Sequence, residues 1–175
     1  MSLPKIIGIL GRSRSGKDTI ANIILDLYPE YSIKRFAQPI KNALKEIYDF
    51  SPEQLEDDSK ELIDIRHNIT PRQAMQEMTH YYLEKHGPDF FSKKIFKLYD
   101  TQEAKQIIIP DVRYEHDIKE IRNRGGIIIK VIRPSNSFQH LIEDHINSLQ
   151  GDYNIMNDKD IPSLKNKITY LFSQI

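Results

Sequence analysis

Short β-branched runs alternate along the chain with segments in which apolar residues recur every three or four positions. Ile6-Ile7-Gly8-Ile9-Leu10, broken off by Gly11-Arg12-Ser13, has the unbroken apolar character of a strand buried on both faces. Ile107-Ile108-Ile109, ended by Pro110, and Ile127 to Ile132, ended by Arg133-Pro134, share it. Ser32 to Phe36 and Tyr153 to Met156 are fainter strand signals between turn-prone residues. About five strands are therefore predicted. Between them, Ile20, Ile23, Ile24 and Leu27 stripe one helical face, and Ile40, Ala43, Leu44 and Ile47 stripe another behind Pro39. Ser51-Pro52-Glu53-Gln54 and Thr70-Pro71-Arg72-Gln73 each read as a capping hydroxyl, a first-turn proline and a Gln three residues on, so a helix is predicted to start at both. An amphipathic helix from Ile161 and Pro162 through Leu164, Ile168, Leu171, Phe172 and Ile175 closes the chain.

Alternation of strand and helix predicts an α/β fold with a parallel, layered sheet and right-handed crossovers. The helix-rich stretch 39–100 is too long for one crossover helix and is predicted to form a lobe beside the sheet. The polar stretch Ser135 to Asp152 has few apolar anchors, which makes 133–152 the candidate mobile lid. Both are insertions in a single domain, 1–175.

Composition narrows the function. With 39 % hydrophobic and 29 % charged residues, the 175-residue chain can bury one core and cover its surface. Lys plus Arg and Asp plus Glu are 25 each, so any basic surface is local, which argues against a general nucleic-acid partner. The absence of cysteine excludes a disulfide framework, a thiolate metal site and a Cys nucleophile. No apolar run is long enough for a membrane span, and Met1 to Lys5 does not lead into a signal peptide. A cytoplasmic location is expected.

The strongest chemical signal is Gly11-Arg12-Ser13-Arg14-Ser15-Gly16-Lys17-Asp18-Thr19 between a predicted strand and a predicted helix. Its Gly-x-x-x-x-Gly-Lys frame is that of a phosphate-binding loop, whose glycines let successive N–H groups converge on a polyphosphate at a helix N-terminus, with Lys17 bridging β- and γ-oxygens. Asp18 stands where Ser or Thr normally ligands Mg²⁺, and the hydroxyl follows at Thr19. Thr19 is therefore the candidate metal or phosphate contact. Asp18 is a water-mediated ligand, a charge partner for an Arg or Lys, or a plain acid in the first turn. At the end of the third strand, Asp111 and Arg113 fall at the carboxyl edge of the sheet, where ligands bind in open α/β folds. Asp111 is placed to hold Mg²⁺ through water, and Arg113 to reach a transferring phosphoryl group. Tyr81-Tyr82 and Phe90-Phe91, at helical spacing with Met78, Leu83 and Ile95, read as core.

Together these segments resemble the phage-type deoxynucleoside monophosphate kinase family, a branch of the P-loop nucleotide kinases. The resemblance rests on Gly11 to Thr19, Phe36-Ala37-Gln38-Pro39-Ile40-Lys41, Thr70-Pro71-Arg72-Gln73-Ala74-Met75-Gln76 and Asp111-Val112-Arg113. It continues through Arg133-Pro134, Asp144-His145 and Asn157-Asp158. It implies a three-layer nucleoside monophosphate kinase-like fold and transfer of the ATP γ-phosphoryl, with Mg²⁺, to a deoxynucleoside monophosphate. Gly11, Arg14, Ser15, Gly16, Lys17, Asp18 and Thr19 would hold ATP. Lys41, Arg72, Gln76 and His145 would serve the acceptor, Asp111 and Arg113 would sit between the two phosphates, and Arg133 would open the lid. Ser148 departs from the family's Glu three residues after His145.

The residue types agree with that chemistry. A phosphate acceptor is already an anionic nucleophile, so the site needs cations rather than a strong base. Arg12, Arg14, Lys17, Lys41, Arg72, Arg113 and Arg133 supply them, while the histidines are scattered. A kinase of another phosphorylated small molecule, of the phosphomevalonate type, shares the donor loop and is the nearest rival, followed by a non-catalytic nucleotide-binding protein. A switch GTPase does not fit, because Asn157-Asp158-Lys159-Asp160 carries the guanine-motif letters in the wrong order. Base preference and oligomeric state stay open, a homodimer included.

Overall fold

The computed structural model describes residues 3–101, 106–134 and 141–175, with the backbone alone for residues 57 and 141–144. The chain forms two compact units, one built from residues up to Arg35 and from Ile95 onward, the other from Phe36–Lys94.

The first unit holds a five-stranded, all-parallel sheet of β1 (Ile6–Gly11), β2 (Tyr31–Ile33), β3 (Gln106–Val112), β4 (Ile127–Ile132) and β5 (Tyr153–Met156) in the order 2-3-1-4-5. β1 is central and buried at every residue, as its unbroken apolar run predicts. α1 (Lys17–Leu27) and α7 (Ile161–Gln174) cover one face, where Ile20, Ile24, Leu164, Ile168 and Phe172 pack with Ile7, Ile9 and Ile129. α5 (Glu115–Asn123) covers the other so closely that a Cβ on Gly8 would meet the Ile121 and Ile128 side chains at 2.7 and 2.6 Å. Helix, sheet and helix thus make the three layers the resemblance implies.

Two strand limits differ from the pattern. β3 does not end at Pro110 but runs through it to Val112. The register passes from Gly8 opposite Ile109 to Leu10 opposite Val112, so Pro110 and Asp111 together face Ile9, and such a bulge tolerates a residue without an N–H. β2 is only three residues long. After Lys34 N donates to Ile108 O the chain leaves the sheet, so Arg35 and Phe36 lie outside the strand. In the predicted lid, residues 135–140 lie outside the described part. α6 (Leu141–Ser148) is anchored by buried Ile146 and by Leu149 just beyond it, and Lys130 Nζ donates to Asn147 O and Leu149 O at 2.8 and 2.6 Å. The later half of that stretch is therefore better anchored than its polar composition suggests.

The second unit contains α2 (Gln38–Tyr48), two 3₁₀ turns (Glu53–Leu55 and Asp57–Glu61), α3 (Pro71–His86) and the start of α4 (Phe90–Thr101). Phe36, Ile40, Leu44, Phe50, Leu55, Ala74 and Phe91 are its buried apolar residues. Thr70 caps α3 as its sequence predicts, accepting from Gln73 N at 3.1 Å. At Ser51 the capping box also forms, Ser51 Oγ accepting from Gln54 N and Gln54 Oε1 from Ser51 N. No α-helix grows from it, because Glu56 turns extended after one 3₁₀ turn. Ile47, predicted on the buried stripe of α2, is 62 % exposed, and Tyr81, predicted in the core, is 55 % exposed. Tyr82 does pack, stacked on Phe90 with centroids 5.5 Å apart.

Asp64 organises the loop between the 3₁₀ turns and α3. Its buried carboxylate accepts from Gln54 Nε2, Arg66 N and the Arg66 guanidinium. The Arg66 bonds, then Gln54, hold its pKa far below the ordinary carboxylate value. A carboxylate so depressed stabilises the folded state above its unfolded pKa of about 4 and loses that contribution as pH falls from there. Urea unfolding of Asp64→Asn against the parent should therefore show a clear loss at pH 7 that shrinks steadily below pH 4. A difference constant with pH would refute this.

Candidate functional site

The loop after β1 has the geometry its glycines predict. Arg14 (φ 58°) and Gly16 (φ 98°) both adopt left-handed conformations, and Gly16 is the N-cap of α1. A side chain at Gly16 would be strained and would also strike Asn157, whose Nδ2 would lie 2.4 Å from the added Cβ. The turn presents the free N–H groups of an 11-residue helix at its mouth. Lys17 Nζ folds back to donate to Gly11 O at 2.9 Å and Arg12 O at 2.6 Å, which keeps the cation inside the loop. Ser15 is 2 % exposed, and its Oγ has no hydrogen-bond partner among the described residues. A buried hydroxyl left so is costly unless something else binds it.

The carboxyl ends of all five strands carry polar residues toward that edge. Asp111 sits half-buried in the β3 bulge, and Arg113, exposed, follows it. Asp117, 4 % exposed, accepts from Arg113 N and Tyr114 N at 3.2 and 3.1 Å and so fixes the turn that carries Arg113. After β4, Arg133 Nη1 reaches Arg14 O at 3.4 Å. After β5, Asn157 Nδ2 donates to Ser15 O at 2.8 Å and pins the phosphate loop from across the sheet. After β2, Arg35 Nη2 donates to Asp18 Oδ1, so of the roles open to Asp18 the structure realises the charge pair. Thr19 lies half-exposed in the first turn of α1. His145, exposed on α6, stands 6.2 Å from the Tyr114 ring, which in turn stacks on His116.

Asp117 and Arg35 were not singled out by motif, and Asn157 entered only as part of the resemblance, with no role attached. Asp117 had one legible signal, an acid at the third helical position, where a carboxylate reaches back to N-terminal N–H groups. The resemblance marked Asn157, but no local pattern showed its contact, because its partner is 142 residues away.

In the second unit, Lys41 and Arg72 are each held by a carboxylate. Lys41 Nζ lies 2.5 Å from Glu56 Oε1, and Arg72 Nε donates to Glu61. Arg72 and Gln76 lie four residues apart and share a face of α3, with Gln76 exposed. Lys60, on the 3₁₀ turn between the two glutamates, was not singled out. Burial, and then the charges of Arg72 and Lys41, push its pKa down. Glu77, Met78, Tyr81, Tyr82, Ala74 and Tyr48 line a separate cavity of about 330 Å³ in this unit.

No group of three or more His, Cys, Asp or Glu suited to a metal occurs among the described residues, and no helix there is long and apolar enough to cross a membrane.

Comparison with known proteins gives this geometry its context. Shikimate kinase from Aquifex aeolicus matches over 97 % of this chain and 96 % of its own, with a TM-score of 0.55 and 13 % identity. Dephospho-CoA kinase from Campylobacter jejuni matches over 97 % and 96 % with a TM-score of 0.51 and 15 % identity. At such identities the likeness establishes the kinase fold alone. A protein of Acanthamoeba polyphaga mimivirus, whose name places it among the deoxynucleotide monophosphate kinases, is 29 % identical over 93 % of both chains. The family model for deoxynucleotide monophosphate kinase matches residues 5–65 and 51–168, nearly the whole chain, and the chain belongs to that family.

Proposed function

We propose that this protein transfers the γ-phosphoryl group of ATP to the 5′-phosphate of a deoxynucleoside monophosphate, giving ADP and the deoxynucleoside diphosphate. The observation that carries the reading is the loop from Gly11 to Thr19, a left-handed turn with a folded-in lysine and a buried hydroxyl, without a partner among the described residues, at a helix N-terminus. Each feature suits a polyphosphate. In the reaction an acceptor phosphate oxygen forms a bond to the γ-phosphorus while the bond from that phosphorus to the β,γ-bridging oxygen breaks, leaving ADP. Lys17 leaves its loop carbonyls for the β- and γ-oxygens. Arg113, positioned through Asp117, and Arg133, at the loop through Arg14, stabilise charge on the transferring group. Arg14, Ser15, Gly16 and Thr19 complete the donor site, while Lys41, Arg72 and Gln76 bind the acceptor and His145 contacts it from α6. Mg²⁺ takes oxygen ligands and keeps several waters, and when bound it neutralises phosphate charge. The Thr19 hydroxyl and the Asp111 carboxylate fit that need, whereas Asp18 is engaged by Arg35.

The test is ADP release with each ribo- and deoxynucleoside monophosphate in turn. Wild type should turn over deoxynucleotides. Arg72→Ala should raise the acceptor KM by on the order of tenfold or more and lower kcat, leaving the ATP KM nearly unchanged. ADP release that no monophosphate stimulates would reject the function, and equal weakening of ATP and acceptor would move the acceptor site elsewhere.

A further inference from the structure

The helical unit gathers three cations and two carboxylates from three pieces of chain. Lys41 comes from the first turns of α2, Arg72 from the first turn of α3, and Lys60 from the 3₁₀ turn Asp57–Glu61, which also supplies Glu61 and is preceded by Glu56. Glu56 bonds Lys41 at 2.5 Å, and Glu61 bonds Arg72. Lys60 is half-buried on the turn whose two glutamates bond Lys41 and Arg72, and no ion pair holds it among the described residues. Burial first, then the charges of Arg72 and Lys41, push its pKa down against the opposite pull of Glu56 and Glu61. For a half-buried ammonium beside two like charges, desolvation and repulsion act in the same direction, and the two glutamates, each already bonded to another cation, offset them only in part. An added anion relieves both.

Lys41 and Arg72 are each bonded to a carboxylate oxygen, and phosphate oxygens make the same kind of charge-assisted bond. Both carboxylates lie on the surface, Glu56 with 59 % and Glu61 with 47 % of its side chain exposed, so releasing them into water costs little. The segment that supplies them is one short turn, and it also carries the third cation.

We propose that Lys60 is a third phosphate-binding residue of the acceptor site, and that Glu56 and Glu61 hold Lys41 and Arg72 until the acceptor's phosphate displaces them. This rests on the acceptor assignment of Lys41 and Arg72 made above. The turn Asp57–Glu61 then works as an internal competitor. It keeps the cations in place without ligand, and it rejects anions too weakly charged to outcompete two carboxylates. A 5′-phosphate dianion qualifies, while a neutral nucleoside does not.

The test is equilibrium binding, without ATP, of the four deoxynucleoside monophosphates and of deoxyribose 5-phosphate, which has the phosphate and sugar but no base. Lys60→Gln should weaken all of them on the order of tenfold, the scale of one charge-assisted bond, while Lys60→Arg stays within about threefold of wild type. Glu56→Gln and Glu61→Gln should each tighten binding, by about threefold for an exposed competing pair. A structural role for these ion pairs would instead lower the melting temperature without tightening. Unchanged binding by Lys60→Gln, in a protein whose melt shows it folded, would remove Lys60 from the site. Weaker binding by both glutamate variants would show that they position the cations rather than occupy them. Failure of the kinase assignment looks different, because no deoxynucleotide would then stimulate ADP release whatever residue 60 is.

Discussion

Lys17→Ala should lower phosphoryl transfer by on the order of 10²–10³ while leaving the fold intact. Removing a charge contact that acts mainly in the transition state is commonly worth about 3–4 kcal/mol. Lys17 suits that role because its ammonium is held against Gly11 O and Arg12 O, within reach of the turn formed by Arg14 and Gly16. Those bonds are internal to the loop, so their loss leaves the sheet and its helices packed. Initial rates at saturating ATP and acceptor, set beside a thermal melt, provide the measurement. A folded variant turning over at the wild-type rate would place the donor site elsewhere.

Phe96→Ala should give the largest loss of stability among the substitutions considered. Phe96 is 1 % exposed on α4, and the Arg124 guanidinium lies over its ring, 4.4 Å from the centroid. Arg124 is fixed there by Asp100 and Glu120, at 3.1 and 2.6 Å. Emptying such a site costs about 3–5 kcal/mol, from lost burial and from the cavity left behind. For a chain of this length that corresponds to a fall in Tm of roughly 10 °C. Phe96→Leu, which keeps most of the volume but loses the ring face, should fall between the two. Calorimetry showing wild-type stability for Phe96→Ala would mean that the ring is not packed as described.

The strands were legible where they were central. β1 and β4 are buried on both faces, and burial of both faces writes itself as an uninterrupted apolar run. Edge positions carried less information. β2 stops after Ile33 although its residues could continue, because pairing partners rather than propensity end it. Pro110 reads locally as a stop, yet the bulge that admits it is set by β1, about a hundred residues away. The same limit applies to the candidate site. Gly11, Gly16 and Lys17 form a contiguous motif whose chemistry needs that spacing, so one stretch of sequence reveals them. Asp117 and Asn157 matter through what they touch, and for Asn157 no local pattern encodes the contact. Ser51 shows the converse, a local signal fully realised in its hydrogen bonds that tertiary context still confines to one 3₁₀ turn.

The strand order has a consequence for synthesis. β1 leaves the ribosome early, but its two neighbours are β3 and β4, which begin at Gln106 and Ile127. At roughly 5–20 residues per second, the run Ile6 to Leu10 spends roughly 5–20 s as an unpaired, β-branched apolar segment before its first partner is made. The helical unit Phe36–Lys94 is contiguous and can collapse on itself in that interval. The loop Gly11 to Thr19 stays unpinned until Asn157 has followed. A nascent chain paused between residues 95 and 105 would thus present a folded helical unit beside a sticky, unshielded strand, the state in which a chaperone that recognises short apolar β segments would be needed most.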